Sequence, residues 1–155
     1  MSVTGPARTS RVLETADAEA AAALAALLPQ VSSRAPSLTP DRIAAVLSSA
    51  GTSVVVACLE GRIVGMALLC VCETLAGRFG VVEEVAVDEA ARGHHMGIEL
   101  MVTVLERAAS LGLDFVELTS RPSREAANGL YQSLGFEARE TNVYRHRLDV
   151  LPARR

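Results

Sequence analysis

The chain has 155 residues, half of them hydrophobic, a formal net charge of −3 and three cysteines. That length lets one domain bury roughly two-thirds of the unfolded chain's surface without a disulfide or metal staple. Interspersed charges and a slightly acidic balance exclude a broad attraction for nucleic acid or anionic membranes, so any basic site has to be local.

Residues 1–10 are polar and are expected as a loose tail, with one domain over 11–150 and a C-terminal tail over 151–155. A short strand is expected near Arg11–Glu14, then a helix over Ala16–Leu28 that stops before Pro29. The run "DAEAAAALAALLP" carries Asp17 and Glu19 and lacks a basic flank, so it reads as a helix of the domain rather than a secretion signal. After the connection "QVSSRAPS", "SLTPDRIAAVLSSAG" predicts a second helix with Thr39 as N-cap, Pro40 first, Asp41 in the opening turn and Gly51 beyond the end. Arg34 and Arg42 of this region would suit an anionic group of a substrate, although isolated arginines usually face solvent.

"TSVVVACLEGRIVGMALLCVCETL" predicts two β-branched strands joined at Glu60-Gly61. Cys58, Cys70 and Cys72 lie inside these apolar runs and read as free thiols of a cytoplasmic protein, with no second ligand pair to make a metal site. "FGVVEEVAV" is the next strand. "ARGHHMGIEL" then opens a helix in which Ile98, Met101, Val104, Leu105 and Ala108 keep helical spacing until Gly112. "LDFVELTS" is another strand, "SREAANGLYQSLG" a helix closed by Gly135 and started at Ser123 or a neighbour, and "NVYRHRLDV" a last strand. In that last strand Asn142, Tyr144 and His146 share one face and Val143, Arg145 and Arg147 the other, fitting a dimer contact, an acceptor site or a solvated edge. The order implies α/β architecture: a mixed, mostly antiparallel sheet with about four helices packed on it.

A strand that ends before a glycine-containing turn and a helix leaves backbone N–H groups aimed together at the helix's positive end. Such a turn can cradle phosphate, with Gly93 and Gly97 permitting close approach and Arg92, His94 and His95 adding charge or donors. A plain turn using glycine for geometry alone is the competing reading. Zinc at His94-His95 fails on spacing, because adjacent residues at a helix start diverge and no partner cluster accompanies them.

"VVEEVAVDEAARGHHMGIELMVTVLERAASLGLDFVELTS" followed by "REAANGLYQSLGF" resembles the cofactor-binding core of the GNAT superfamily of N-acetyltransferases, over about residues 79–147. That family's loop pattern, [Q/R]-x-x-G-x-[G/A], is met by Arg92 and Gly97, while His95 stands where its central glycine would be. The resemblance implies a single-domain fold with a V-shaped splay in the sheet and acetyl-CoA as co-substrate, without a metal. Its pyrophosphate would meet the amides of Gly93, His95, Met96, Gly97 and Ile98, with His94 alongside. Its pantetheine would pair with the main chain of Val85, Ala86 and Val87. Tyr131 matches the family's proton donor to the departing thiolate; as an ordinary residue it would simply pack under the Leu134-Gly135-Phe136 turn. Glu84 or Glu83 matches a carboxylate that takes the amine's proton. Adjacent strand residues point to opposite faces, so one of the two would face the cleft and the other would be exposed or paired with an arginine such as Arg121. Arg124 stands where many members place a pantetheine-binding asparagine, with Asn128 one turn later on the same helical face.

The resemblance implies acetyl transfer to a primary amine of a small molecule or peptide by direct attack. The alternative is a non-catalytic acyl-CoA sensor or interaction module of the same fold. The implied partners are acetyl-CoA and an amine acceptor, without nucleic acid or membrane, and with a homodimer as one use of the polar last strand.

Overall fold

The computed structural model describes residues 5–33 and 37–151. Arg34 and the chain ends beyond these ranges lie outside the described residues. Five strands form one sheet in the order β1-β2-β3-β4-β5: β1 Arg8–Leu13, β2 Thr52–Leu59, β3 Arg62–Thr74, β4 Gly77–Val87 and β5 Val116–Leu118. The first four pair antiparallel and β4 pairs parallel with β5, as expected of a mixed, mostly antiparallel sheet. The first strand begins at Arg8, so residues 8–10 belong to the sheet and not to a tail; pairing along β2 from Leu59 to Val54 holds them there.

Four α-helices flank the sheet: α1 Ala18–Leu27, α2 Pro40–Leu47, α3 Met96–Ser110 and α4 Glu125–Ser133. Asp17 caps α1 by accepting from Ala20 N at 2.8 Å, which moves the start two residues past Ala16. Thr39 caps α2 as its sequence predicts, accepting from Arg42 N at 3.2 Å. At α4 the capping position falls to Arg124, not Ser123, and no side chain caps it.

The interior strand β2 is buried on both faces, so its unbroken "VVVAC" run needs no polar alternation. Val55 and Ala57 enter a core beneath α3, with Ala67, Leu69, Val82, Leu100, Met101 and Val104. Val54, Val56 and Cys58 point the other way, toward Leu24 and Leu27 of α1 and Ile43 of α2. Leu100, Met101 and Val104 are completely buried, and each such side chain stabilises the fold by about 1.5–3 kcal/mol relative to exposure. Ser10 fastens β1 to α3: its hydroxyl donates to Glu99 O at 3.0 Å and meets the Thr103 hydroxyl.

The strand expected at "NVYRHRLDV" does not form. Residues 137–151 carry no strand or helix and are all exposed. Strand-forming side chains fold as a strand only where a neighbouring ladder accepts them, and none among the described residues does.

Candidate active site

The stretch between β4 and α3 is a tight double bend. Asp88 caps a 3-10 turn, Glu89–Ala91, and the chain then enters α3 through Gly93 (φ 81°) and His95 (φ 58°). Glycine is required at 93 by that dihedral, and the space beside it is open. His95 is the N-cap of α3 in the left-handed region and contributes no side-chain cap. Consequently the amides of Gly93, His95, Met96 and Gly97 have no hydrogen-bond acceptor among the described residues, while the helix dipole adds partial positive charge there. Ile98 departs from expectation. Its N–H donates to His95 O at 3.1 Å, because the first turn of α3 tightens around the left-handed cap.

A Cβ on Gly97 would lie 3.0 Å from Leu130 Cδ2, so a side chain there would press on Leu130 of α4. Arg92 is exposed and pairs with Glu89 at 3.1 Å. His94 is half-buried, and its carbonyl accepts from Arg8 Nη1 at 3.2 Å. Arg8 thus adds a second cation to the loop, one that nothing in its local sequence announced.

On β4 the register steps from Leu68↔Glu83 to Met66↔Ala86, so Glu84 and Val85 together oppose Ala67. Glu84 is the bulged residue, with φ 55°. This overturns the alternation argument for the two carboxylates. Val82 and Val85 both pack with the α3-side core, and Glu83 shares the opposite face with its partner Leu68, which packs toward α1 and α2. The left-handed residue between them breaks the strict two-residue alternation. Glu84's pKa is raised by partial burial and by the like charge of Glu83, against the pull of Arg42. Cys70, on the same side, has its thiol pKa raised by burial and then by Glu83. Arg121 forms no ion pair with either glutamate.

β5 pairs with β4 only from Gly80 to Val82. From Glu83 to Val87 the side of β4 toward β5 has no strand partner, so Val85, Ala86 and Val87 border a splay. Ala86 is buried toward α1 and α2, Val85 and Val87 lean on the α3 core, and their main chain forms the wall of the opening.

Tyr131 projects from α4 into the α3-side core, 6% exposed, with its ring edge-on to Phe136 at 5.9 Å. Among the described residues no group hydrogen-bonds its hydroxyl. Burial raises its pKa above the ordinary phenol value, Arg124 opposing, so the phenol is protonated throughout the neutral range. Asn128 is otherwise engaged: its Nδ2 donates to Arg121 O at 3.0 Å and closes the β5–α4 loop. Ser120, two residues past β5, holds a sealed hydroxyl with no partner among the described residues. A serine in a polar loop gives no sequence signal of that kind. No group of three metal-ligating side chains gathers among the described residues.

An amide cradle at a helix mouth, a splay beside a bulged strand and a protonated tyrosine in the core under α3 are the features that bear on chemistry. A family model described as "Acetyltransferase (GNAT) family" matches residues 20–136, which include all of these features. The chain is a GNAT acetyltransferase-family protein. A search of curated proteins gave no match. Among solved structures, an acetyltransferase of Trypanosoma brucei is 27% identical, with TM-score 0.74, covering 91% of this chain and 100% of the other. Glucosamine-6-phosphate N-acetyltransferase from Arabidopsis thaliana shares the fold at 17% identity and TM-score 0.75, covering 90% and 98%. So does the aminoglycoside N-acetyltransferase AAC(6')-Iy, solved in complex with CoA, at 15% identity and TM-score 0.76, covering 96% and 99%. Within the GNAT loop, His95 holds a left-handed backbone conformation, one that glycine adopts more readily.

Proposed function

We propose that this GNAT protein transfers an acetyl group from acetyl-CoA to a primary amine by direct attack, without a covalent enzyme intermediate. The observation that carries the reading is the set of four amides, at Gly93, His95, Met96 and Gly97, that have no acceptor among the described residues. A diphosphate fits that cradle by charge and by hydrogen-bond count, and the open side of Gly93 leaves room for it. Arg92, Arg8 and the imidazoles of His94 and His95 add donors around it, while Val85 and Val87 offer main-chain pairing along the splay. Arg124 lies close enough to Tyr131 to pull its pKa down, and so serves the thiol end of the cofactor better than its phosphates.

Acetyl-CoA supplies the acyl carbon as a thioester. Glu84, raised in pKa and flanked by Glu83, accepts the proton that the attacking amine gives up. Tyr131 donates its proton to the sulfur as the carbon–sulfur bond breaks, so one proton enters the carboxylate pair and one leaves the phenol. Solvent then restores both. The free thiols Cys58, Cys70 and Cys72 take no part and suit a reducing cytoplasm.

Incubation with acetyl-CoA and a panel of amines, following CoA release and the acetylated product by mass spectrometry, tests this reading. Turnover of an amine supports it. Tight CoA binding with no turnover across the panel would instead support an acyl-CoA sensor, and no CoA binding at all would refute the cradle.

A further inference from the structure

α1 and α2 cover only part of their side of the sheet. They pack on Val54, Val56, Met66, Leu68 and Ala86. Further along the strands on that side stand Cys70 and Cys72 of β3, with their partners Val81 and Phe79 of β4. All four are half-buried, and among the described residues neither side of the core includes them. Phe115, just before β5, widens the patch. It is 53% exposed, and its ring stacks on Phe79 at a centroid distance of 5.0 Å with 12° between the planes. A contiguous apolar patch of this kind marks a surface that meets a ligand or a partner.

The rim of the patch is acidic. Glu83 follows Val81 on the same side, paired with Leu68. Glu84 comes next at the bulge, where Arg42 of α2 is near enough to act on its charge. Glu117 pairs with Val81 across the β4–β5 ladder and lies on the Phe115 side, because Val116 and Leu118 turn to the α3 core. All three glutamates are exposed. Three carboxylates against one guanidinium draw in a cation and repel a carboxylate.

Building on the acetyl-transfer reading, we propose that the acceptor is an arylalkylamine without a carboxylate, its ring on Val81 and the Phe79–Phe115 stack and its amine at Glu83 and Glu84. Phe79 and Glu83 are four residues apart, about 13 Å along the strand. An aromatic ring, a short carbon arm and the glutamate side chain together fill that span. A third ring against the stacked pair gains both apolar burial and offset or edge-on aromatic contact. Other amines use the face less well. A short alkylamine leaves the rings wet, an amino sugar sets hydroxyls over them, and an amino acid brings a carboxylate up to Glu83, Glu84 and Glu117. The transfer is the one set out above: the nitrogen–carbon bond forms as the carbon–sulfur bond breaks, one proton passing from the amine to Glu84 and one from Tyr131 to the sulfur.

Initial rates with acetyl-CoA and each of ethylamine, phenethylamine and phenylalanine test this. Phenethylamine should exceed both others in kcat/KM by at least about tenfold, the factor that burying part of a ring supplies. Phe115→Ala, at an exposed position, should shrink the phenethylamine-to-ethylamine ratio about fivefold, and Phe115→Tyr should keep it. Glu117→Gln should narrow the gap between phenethylamine and phenylalanine. Turnover of ethylamine or phenylalanine as fast as phenethylamine overturns the proposal and leaves acetyl transfer standing, as does a Phe115→Ala variant with the parent ratio. If no amine is turned over, the transfer reading falls, and calorimetry of phenethylamine on the CoA-loaded protein decides the site. Binding that Phe115→Ala weakens supports it; no binding, or binding that the variant leaves unchanged, overturns it. A second copy seated on this face would show as an oligomer that Phe115→Ala dissociates with the amine ratio unmoved, and would overturn it too.

Discussion

Replacing Tyr131 by Phe separates packing from proton donation. The ring is 6% exposed and edge-on to Phe136 at 5.9 Å, and phenylalanine keeps both features. No described residue hydrogen-bonds the hydroxyl, so its removal should change folding stability by less than about 1 kcal/mol. The chemical cost is different in kind. A positioned general acid contributes about 10²–10⁴ in rate, so the acetyl-transfer step should slow at least about 100-fold, or about 2.7 kcal/mol of barrier. Affinity for CoA should stay within about twofold, because the cradle amides belong to the β4–α3 turn and the start of α3. The assay is single-turnover transfer at saturating acetyl-CoA, with CoA binding by calorimetry and thermal unfolding measured on the same samples. Because burial raises the phenol's pKa above 10.0, the parent enzyme should show no loss of the acid form at neutral pH. A Tyr131→Phe variant that folds, binds CoA and transfers acetyl within about threefold of the parent rate would refute the role given to the phenol.

The acid limb of the kcat/KM profile should titrate above the ordinary carboxylate value of 4.5, since burial and Glu83 both disfavour the charged form of Glu84. Glu83→Gln should move that limb to lower pH and Arg42→Gln to higher pH; identical limbs in all three proteins would remove Glu84 as the titrating base. Gly93→Ala forces a Cβ onto a φ of 81° and should cost about 1–2 kcal/mol, lowering Tm by about 2–8 °C and raising KM for acetyl-CoA, readable by calorimetry and initial rates. Ser120→Ala should raise stability by about 1 kcal/mol in urea unfolding, because it removes a sealed hydroxyl that has no partner among the described residues; destabilisation would show that the hydroxyl is satisfied in solution.

Much of this protein was legible from local chemistry. The Thr39-Pro40-Asp41 start of α2, the Glu60-Gly61 turn and the strand–glycine–helix passage into α3 depend on residues within four positions of one another, which is why they could be read one after another along the chain. The free amides at the mouth of α3 followed from the same grammar. Other features were not legible. Glu84 is left-handed at a non-glycine position because β4 carries one extra residue opposite Ala67 of β3, a demand made by the partner strand. Leu130 of α4 comes to lie against Gly97, Arg8 reaches a loop 86 residues away, and the sealed Ser120 hydroxyl depends on what packs around it. The strand chemistry of "NVYRHRLDV" is plain in the residues, yet no ladder among the described residues receives it.

By itself the sequence determined the order and type of the four helices and five strands, and which turn could hold an anion, because dihedral preference, capping and side-chain period act over a few neighbouring residues. Only the tertiary structure decided where the bulge in β4 falls and how far β5 follows β4 before the two part. Those outcomes depend on register and packing between segments far apart in the chain, and no single segment encodes its partner's position.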